Sequence, residues 1–178
     1  MTHPLDFPFD NHKVLRKKKS LKRDLEKQSY LIEKRIAIVG GSTTFEVKSL
    51  IEIFLLKEGI QPLFYESEYN KYAEDILFEN QELEKFKPEI IYIHTSIMNI
   101  TSFPEIAETA EGVESKVEKE FSKWKEIWTN IKTKYNCPII QNNFELPDSR
   151  ALGDLDFSDI HGRTNFILKL NSLFAEYS

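Results

Sequence analysis

Ser42, Asp159 and His161 are the side chains whose types match a nucleophilic triad. A serine hydroxyl attacks a carbonyl only when a base takes its proton, usually a histidine held by a carboxylate. Ser42 stands in "VGGSTTFE", directly behind two glycines, where a strand should bend into a helix. His161 lies in "DFSDIHG", with Asp156 and Asp159 beside it and a helix following. Gly40 and Gly41 permit close approach of the backbone to a ligand. The free amides and positive dipole end of the following helix suit an anion or oxyanion. Thr43, with Glu46 three residues on, has the spacing of a capping box that would fix the helix start. The same residues also serve as a plain tight turn with a cap, and both readings stay open at this point.

Four further positions belong with these. His94 ends the strand-like run "EIIYIHT", either facing a ligand or simply satisfied at a strand end. Asn70 falls in a segment between two elements. Asn142 and Asn143, in "NNF", follow a short apolar run. Their amides either donate to an oxyanion or close an Asx turn. No lysine follows the glycines with Walker spacing, and the three-glycine dinucleotide fingerprint is missing. One cysteine and four scattered histidines form no zinc pattern, so neither metal nor cofactor is expected.

The elements that must position these residues are legible as strands alternating with helices. Arg35–Val39, Pro62–Glu66, Glu89–Thr95 and Pro138–Gln141 are short and rich in β-branched or aromatic residues, as strands covered on both faces are. Val47, Leu50, Ile51, Phe54 and Leu55 form one helical face, with Gly59 as its C-terminal stop. Two short helices ending at Pro88 should follow the second strand. A long helix over Glu114–Tyr135 carries Val117, Phe121, Trp124, Trp128, Ile131 and Tyr135 inward. The last, Arg163–Tyr177, turns Phe166, Ile167, Leu170, Leu173 and Phe174 to the core. The acidic stretch Ser102–Lys116 reads as an exposed, mobile loop. This alternation predicts an α/β three-layer sandwich on a mostly parallel sheet of four to five strands, flavodoxin-like in plan. Ligands in such sheets sit beyond the carboxyl ends of the strands, which puts Gly40–Thr44, Ser67–Tyr72, His94–Asn99 and Gln141–Leu146 on one rim.

Composition narrows the function classes. With 178 residues, 40% apolar and 12% aromatic, the chain is long enough for one domain with a sizeable core. No run is long enough to span a membrane, no secretory leader is visible, and a single cysteine fits a reducing, cytoplasmic compartment. A net charge of −5 argues against general nucleic-acid binding. The charge is uneven, however: seven of the eleven residues from Lys13 to Arg23 are basic. Val14, Leu15, Leu21 and Leu25 give that stretch an apolar stripe. We therefore divide the chain into a basic arm and helix, 1–34, and an α/β domain, 35–178.

"RIAIVGGSTTFEVKSLIEIFLLKEGIQPLFYESEYNKYAEDIL" resembles the amino-terminal domain of FkbH-like proteins of the HAD phosphatase superfamily. "VLRKKKSLKRDL", "FKPEIIYIHTS" and the tail "ALGDLDFSDIHGRTNFILKLNSLFAEYS" are similar too. The resemblance implies an SGNH (GDSL-type) hydrolase-like fold. It also implies a HAD domain elsewhere with an aspartate nucleophile, and a role in loading glyceryl units onto carrier proteins in polyketide or surface-polysaccharide pathways. The HAD signature Asp-x-Asp-x-Thr is absent from this chain, so phosphatase chemistry is not assigned to it. Of the SGNH blocks, Ser42 matches the first, with Gly41 where that family has Asp. The second-block glycine is replaced within "YNKY", the third block by "HTSIMN", and Asp159-Ile-His161 is one residue shorter than Asp-x-x-His.

The expectation is an accessory domain that positions a small-molecule, glyceryl or acyl-carrier-bound substrate, with a HAD domain or carrier protein as partner. The alternatives are an active serine esterase or acyl transferase using Ser42, His161 and Asp159, and a pure interaction module docking an acidic carrier protein through the basic helix or the acidic loop.

Overall fold

The computed structural model describes residues 3–178; the first two residues of the expected arm lie outside the described residues. Helix α1 (Asn11–Leu25) precedes strand β1 (Ile32–Gly40), helix α2 (Phe45–Lys57) and strand β2 (Ile60–Glu66). Short helices α3 (Tyr72–Leu77) and α4 (Gln81–Phe86) lead to β3 (Ile90–His94). The long α5 (Ala110–Tyr135), the three-residue β4 (Ile139–Gln141) and α6 (Arg163–Tyr177) complete the order.

The four strands form an all-parallel sheet in the order β2-β1-β3-β4. From Ile36 to Gly40 every residue of β1 is buried, as expected of a central strand covered on both faces. The chain moves one way along the sheet from β1 to β2, then reverses past β1 to β3 and β4. Right-handed crossovers therefore place α2 on one face and α3, α4 and α5 on the other. The packing agrees. Leu5, Val14 and Leu25 bury against Ile53 and Leu56 of α2. On the opposite face Ile76, Leu83, Trp124, Ile127, Ile131, Phe166 and Leu170 join Ala37, Val39, Ile91 and Ile93. The expected three-layer sandwich is present, with four strands.

Several details differ from the sequence reading. The first strand begins at Ile32, three residues early, because Ile32–Ile38 pairs with Ile60–Glu66 along its length. In α2 the fully buried side chains are Ile53 and Leu56, while Val47, Leu50, Ile51, Phe54 and Leu55 are only half covered. That helix sits between the sheet and α1, so its apolar side chains divide between two neighbours. Leu15 of α1 is exposed. The stretch expected as a mobile loop is largely ordered: α5 begins at Ala110, capped by the Thr109 hydroxyl, which accepts from Gly112 N at 3.2 Å. Pro104 is buried, Phe103 lies edge-on to Phe166 at 5.7 Å, and Lys116 Nζ donates to the Phe103 carbonyl at 3.0 Å. Gly59, just beyond α2, takes φ +78°, as a helix stop requires.

Candidate functional site

The strand order reverses between β1 and β3, so their carboxyl ends flank the crevice where open α/β sheets place ligands. Gly40 ends β1 and His94 ends β3, and the two are register partners. The turn carrying Ser42 is fastened on several sides. Gly41 N donates to the His94 carbonyl at 2.9 Å and Gly40 N to Ser67 Oγ at 3.0 Å. The carbonyl of Gly41 accepts from Asn99 Nδ2 at 3.1 Å. A Cβ at Gly41 would come within 2.4 Å of the Asn99 amide, and one at Gly40 within 2.6 Å of the Thr44 methyl. Both glycines are therefore required by close approach.

Asn99 is the organising residue of this rim, and sequence reasoning missed it. It lies in the 3-10 turn Ile97–Asn99 that follows β3. Its Oδ1 accepts from Ser96 N at 2.9 Å while its Nδ2 also donates to Asn70 Oδ1 at 3.0 Å. Lys123 Nζ of α5 donates to the Asn99 carbonyl at 3.0 Å. The available signal was the Ser-x-x-Asn spacing of residues 96–99, a reciprocal cap within "HTSIMN". Glu120 was also missed. It is 3% exposed, accepts from Thr101 N at 3.1 Å and Trp124 Nε1 at 3.2 Å, and pairs with Lys123. A glutamate in register with Val113, Val117, Trp124 and Ile127 was the clue.

The capping box does not form. Thr44, not Thr43, precedes the first turn of α2, and its hydroxyl donates to Glu66 rather than to a helix amide. Thr43 is exposed, and Glu46 instead pairs with Lys18 of α1. Burial works to raise the pKa of Glu66, but the Lys48 ammonium and Thr44 hydroxyl outweigh it and hold the carboxyl below its ordinary value. The Lys48–Glu66 pair thus ties the start of α2 to the end of β2.

Asn142 braces the rim from β4: its Oδ1 accepts from Thr95 N at 3.1 Å and its Nδ2 donates to the Thr95 carbonyl at 2.6 Å. The amide thus acts like one more strand residue against Thr95, in place of an Asx turn. Asn143 is exposed, and its carbonyl accepts from Asn142 Nδ2 at 3.0 Å. The His94 ring shares a hydrogen bond with Tyr92 OH through Nδ1, at 2.9 Å.

The structure brings together Gly40, Gly41, Ser42, Asn70 and the His94 backbone, with Asn142 adjoining through Thr95. It keeps Asp159 and His161 engaged elsewhere. His161 Nδ1 lies 2.8 Å from Asp159 Oδ1, and its Nε2 donates to the Glu108 carbonyl at 3.0 Å. Both ring nitrogens therefore have an acceptor already, Asp159 on one side and the Glu108 carbonyl on the other. The Glu108 carbonyl and the Asp159 carboxylate raise the His161 pKa. The His161 backbone N–H and ring lower that of Asp159. The pair forms a clamp beneath the loop before α5, and it becomes an ion pair when the imidazole is protonated. Among the described residues no three His, Cys, Asp or Glu side chains cluster closely enough to hold a metal ion.

A doubly wound, all-parallel α/β sandwich with its polar rim at the strand-order reversal is the class that the fold defines. Within that class one solved structure matches with a TM-score of 0.71 at 17% identity: the N-terminal part of the protein BF1531 from Bacteroides fragilis, which contains a phosphatase domain and was complexed with Mg. The match covers 90% of this chain and 42% of that one, so the chain spans less than half of its neighbour. No protein-family model matches the chain, and no curated protein does.

Proposed function

We propose that this chain is a binding domain of the FkbH-like, SGNH-like type, which holds a glyceryl or acyl substrate, free or carrier-borne, for a HAD-type phosphatase domain. The carrying observation is that the Ser42 turn is fastened at the sheet's reversal point while both nitrogens of His161 are already hydrogen-bonded, one to Asp159 and one to the Glu108 carbonyl. A rim of amides and hydroxyls can bind and orient oxygen atoms, while a histidine already bonded through both nitrogens is not free to take the serine proton. The likeness to a phosphatase-containing chain supports the same reading at the level of fold. The small substrate would enter beside Ser42, with Gly40, Gly41 and Thr43 as backbone neighbours and Asn70, Asn142 and Asn143 at the margin. The basic face of α1 is a candidate for an acidic carrier, although Lys18 and Lys22 are already paired with Glu46 and Glu52.

One observation favours a second reading. Asp159 and His161 form a well-made carboxylate–imidazole pair at 2.8 Å, the half-triad that an esterase or acyl transferase would need. Catalysis would then require the Glu108 carbonyl to leave Nε2 and the ring to reach Ser42. Incubation with a fluorophosphonate probe separates the two readings. The binding reading expects no labelling of Ser42 and retained binding of glycerate or of an acyl carrier protein. Stoichiometric labelling that disappears in Ser42→Ala would establish the enzyme instead.

A further inference from the structure

Helix α1 carries two rows of side chains with the same spacing and opposite fates. Val14, Lys18, Leu21 and Leu25 follow one another at intervals of four, three and four, and Val14 and Leu25 are buried against α2. His12, Arg16, Lys19 and Arg23 repeat those intervals two residues earlier, about 160° round the helix, and all four are exposed. On the inner side Lys18 and Lys22 are paired with Glu46 and Glu52. Arg16 and Lys19, with Lys13 and Lys17 on the flank, have no acidic partner among the described residues, and Arg23 reaches only its neighbour Asp24, at 3.9 Å. This arrangement opposes helix stability. Like charges three and four residues apart repel, and Lys13 stands in a first turn that holds no acid, at the positive end of the helix dipole. Solvation alone asks for neither feature. The charge is also polarised through the molecule. Without the seven positive charges of residues 13–23, the net charge of −5 would be −12. Residues 72–84, which run through α3 into α4 on the opposite face of the sheet, hold five acids and no base. A field of this kind turns α1 toward an anionic surface.

We propose that the outer face of α1 docks the protein on an anionic lipid bilayer, with Arg16, Lys19 and Arg23 lying along the headgroups. The row is straight, about 16 Å long at a rise of about 1.5 Å per residue, and it lies on the outermost layer, outside α2. A flat, extended surface suits it. Protein interfaces carry their energy in an apolar centre depleted of charge, whereas here the centre is cationic and the apolar Leu15, 52% exposed, stands at the edge. Phe7, four residues before the helix, is exposed as well. Val14, Leu21 and Leu25 stay packed on α2, so the helix keeps its place in the fold and the contact is peripheral and electrostatic. Nothing in this surface depends on what binds at the rim.

The test is cosedimentation of the full chain with vesicles of phosphatidylcholine alone, or of phosphatidylcholine with about 30% phosphatidylglycerol, which gives a negative surface potential. Wild type should bind the anionic vesicles at least about tenfold more tightly than the neutral ones. That affinity should fall at least about tenfold between roughly 50 and roughly 300 mM salt. Two variants of equal net charge locate the surface, with circular dichroism confirming that each stays folded. Arg16→Gln/Lys19→Gln, on the outer row, should weaken anionic-vesicle binding about tenfold or more, and Lys18→Gln/Lys22→Gln, on the inner side, about threefold at most. Absent or equal binding to the two vesicle types overturns the proposal, as does an equal loss in the two variants. Binding of an acyl carrier protein that disappears in the outer variant, without vesicle binding, assigns the row to an acidic protein and overturns it too. Glycerate binding should be the same in all three forms, so failure of the rim reading would appear differently, as absent glycerate binding with vesicle binding intact.

Discussion

At the scale of single residues, the turn is specified by what cannot fit there. Gly41→Ala would drive a methyl into the Asn99 amide and must push that side chain off Ser96 and the Gly41 carbonyl. The expected loss is about 1–3 kcal/mol of stability, the usual range for overpacking, read from the midpoint of a urea melt; an unchanged midpoint would show that the Asn99 contact is slack. Asn99→Ala should cost a similar amount, roughly 1–3 kcal/mol, by leaving the Ser96 N–H and the Gly41 carbonyl without their partner. The clamp on His161 gives a pH signature. Its folded pKa is raised, so its contribution is fully present below the unfolded value near 6.5 and fades as pH rises through the folded value. His161→Gln should therefore destabilise the protein more at pH 5.5 than at pH 9. A gap that is constant or widens with pH would contradict the ion pair with Asp159.

At the scale of elements, the strands and the last helix were legible because their signals are local. "IAIV" and "IIYI" are apolar on both faces, and Phe166, Ile167, Leu170 and Phe174 repeat at helical spacing. What escaped was tertiary in origin. Thr43 and Glu46 satisfy a capping pattern, yet the carboxylate of Glu66, 22 residues beyond Thr44 in the sequence, draws the hydroxyl of Thr44, and the helix start lies one residue later. The acidic composition of 102–116 suggested mobility, but Phe103 and Pro104 anchor the loop to α5 and α6. Asn99 and Glu120 act through partners distant in sequence, beyond the reach of any periodicity. The start of α6 illustrates the same point. Gly162 offers no capping side chain, and the buried Asp156 takes that role by accepting from Thr164 N at 2.8 Å. Asp156→Ala should cost about 0.5–2 kcal/mol, as the loss of a cap does. Increased amide exchange in the first turn of α6 would check it, and unchanged exchange there would assign the anchoring elsewhere.

At the scale of the whole molecule, the two faces of the sheet carry different kinds of core. One is aromatic, centred on Trp124, which stacks on Tyr72 at 5.5 Å and meets Phe144 and Phe174 edge-on. The other is small and aliphatic, and α1 completes it with Leu5, Val14 and Leu25 over α2. Trp124→Ala should therefore cost about 3–5 kcal/mol, whereas Leu25→Ala should cost nearer 2 kcal/mol, the lower end for a buried leucine. Chemical denaturation of the two variants side by side checks the order, and reversal would place the main core on the α1 face. The functional reading spans both layers, since the rim at the strand-order reversal takes its turn from the β1–α2 side and Asn99 from the β3–α5 side.

The most direct test of that rim is an amide shift map of the full chain titrated with glycerate. The account expects the largest shifts at Gly41, Ser42 and Asn99, with smaller ones at Asn70 and Thr95. Shifts confined to the groove beside β4 (Trp128, Gln141 and Tyr177), or to the basic face of α1, would contradict it.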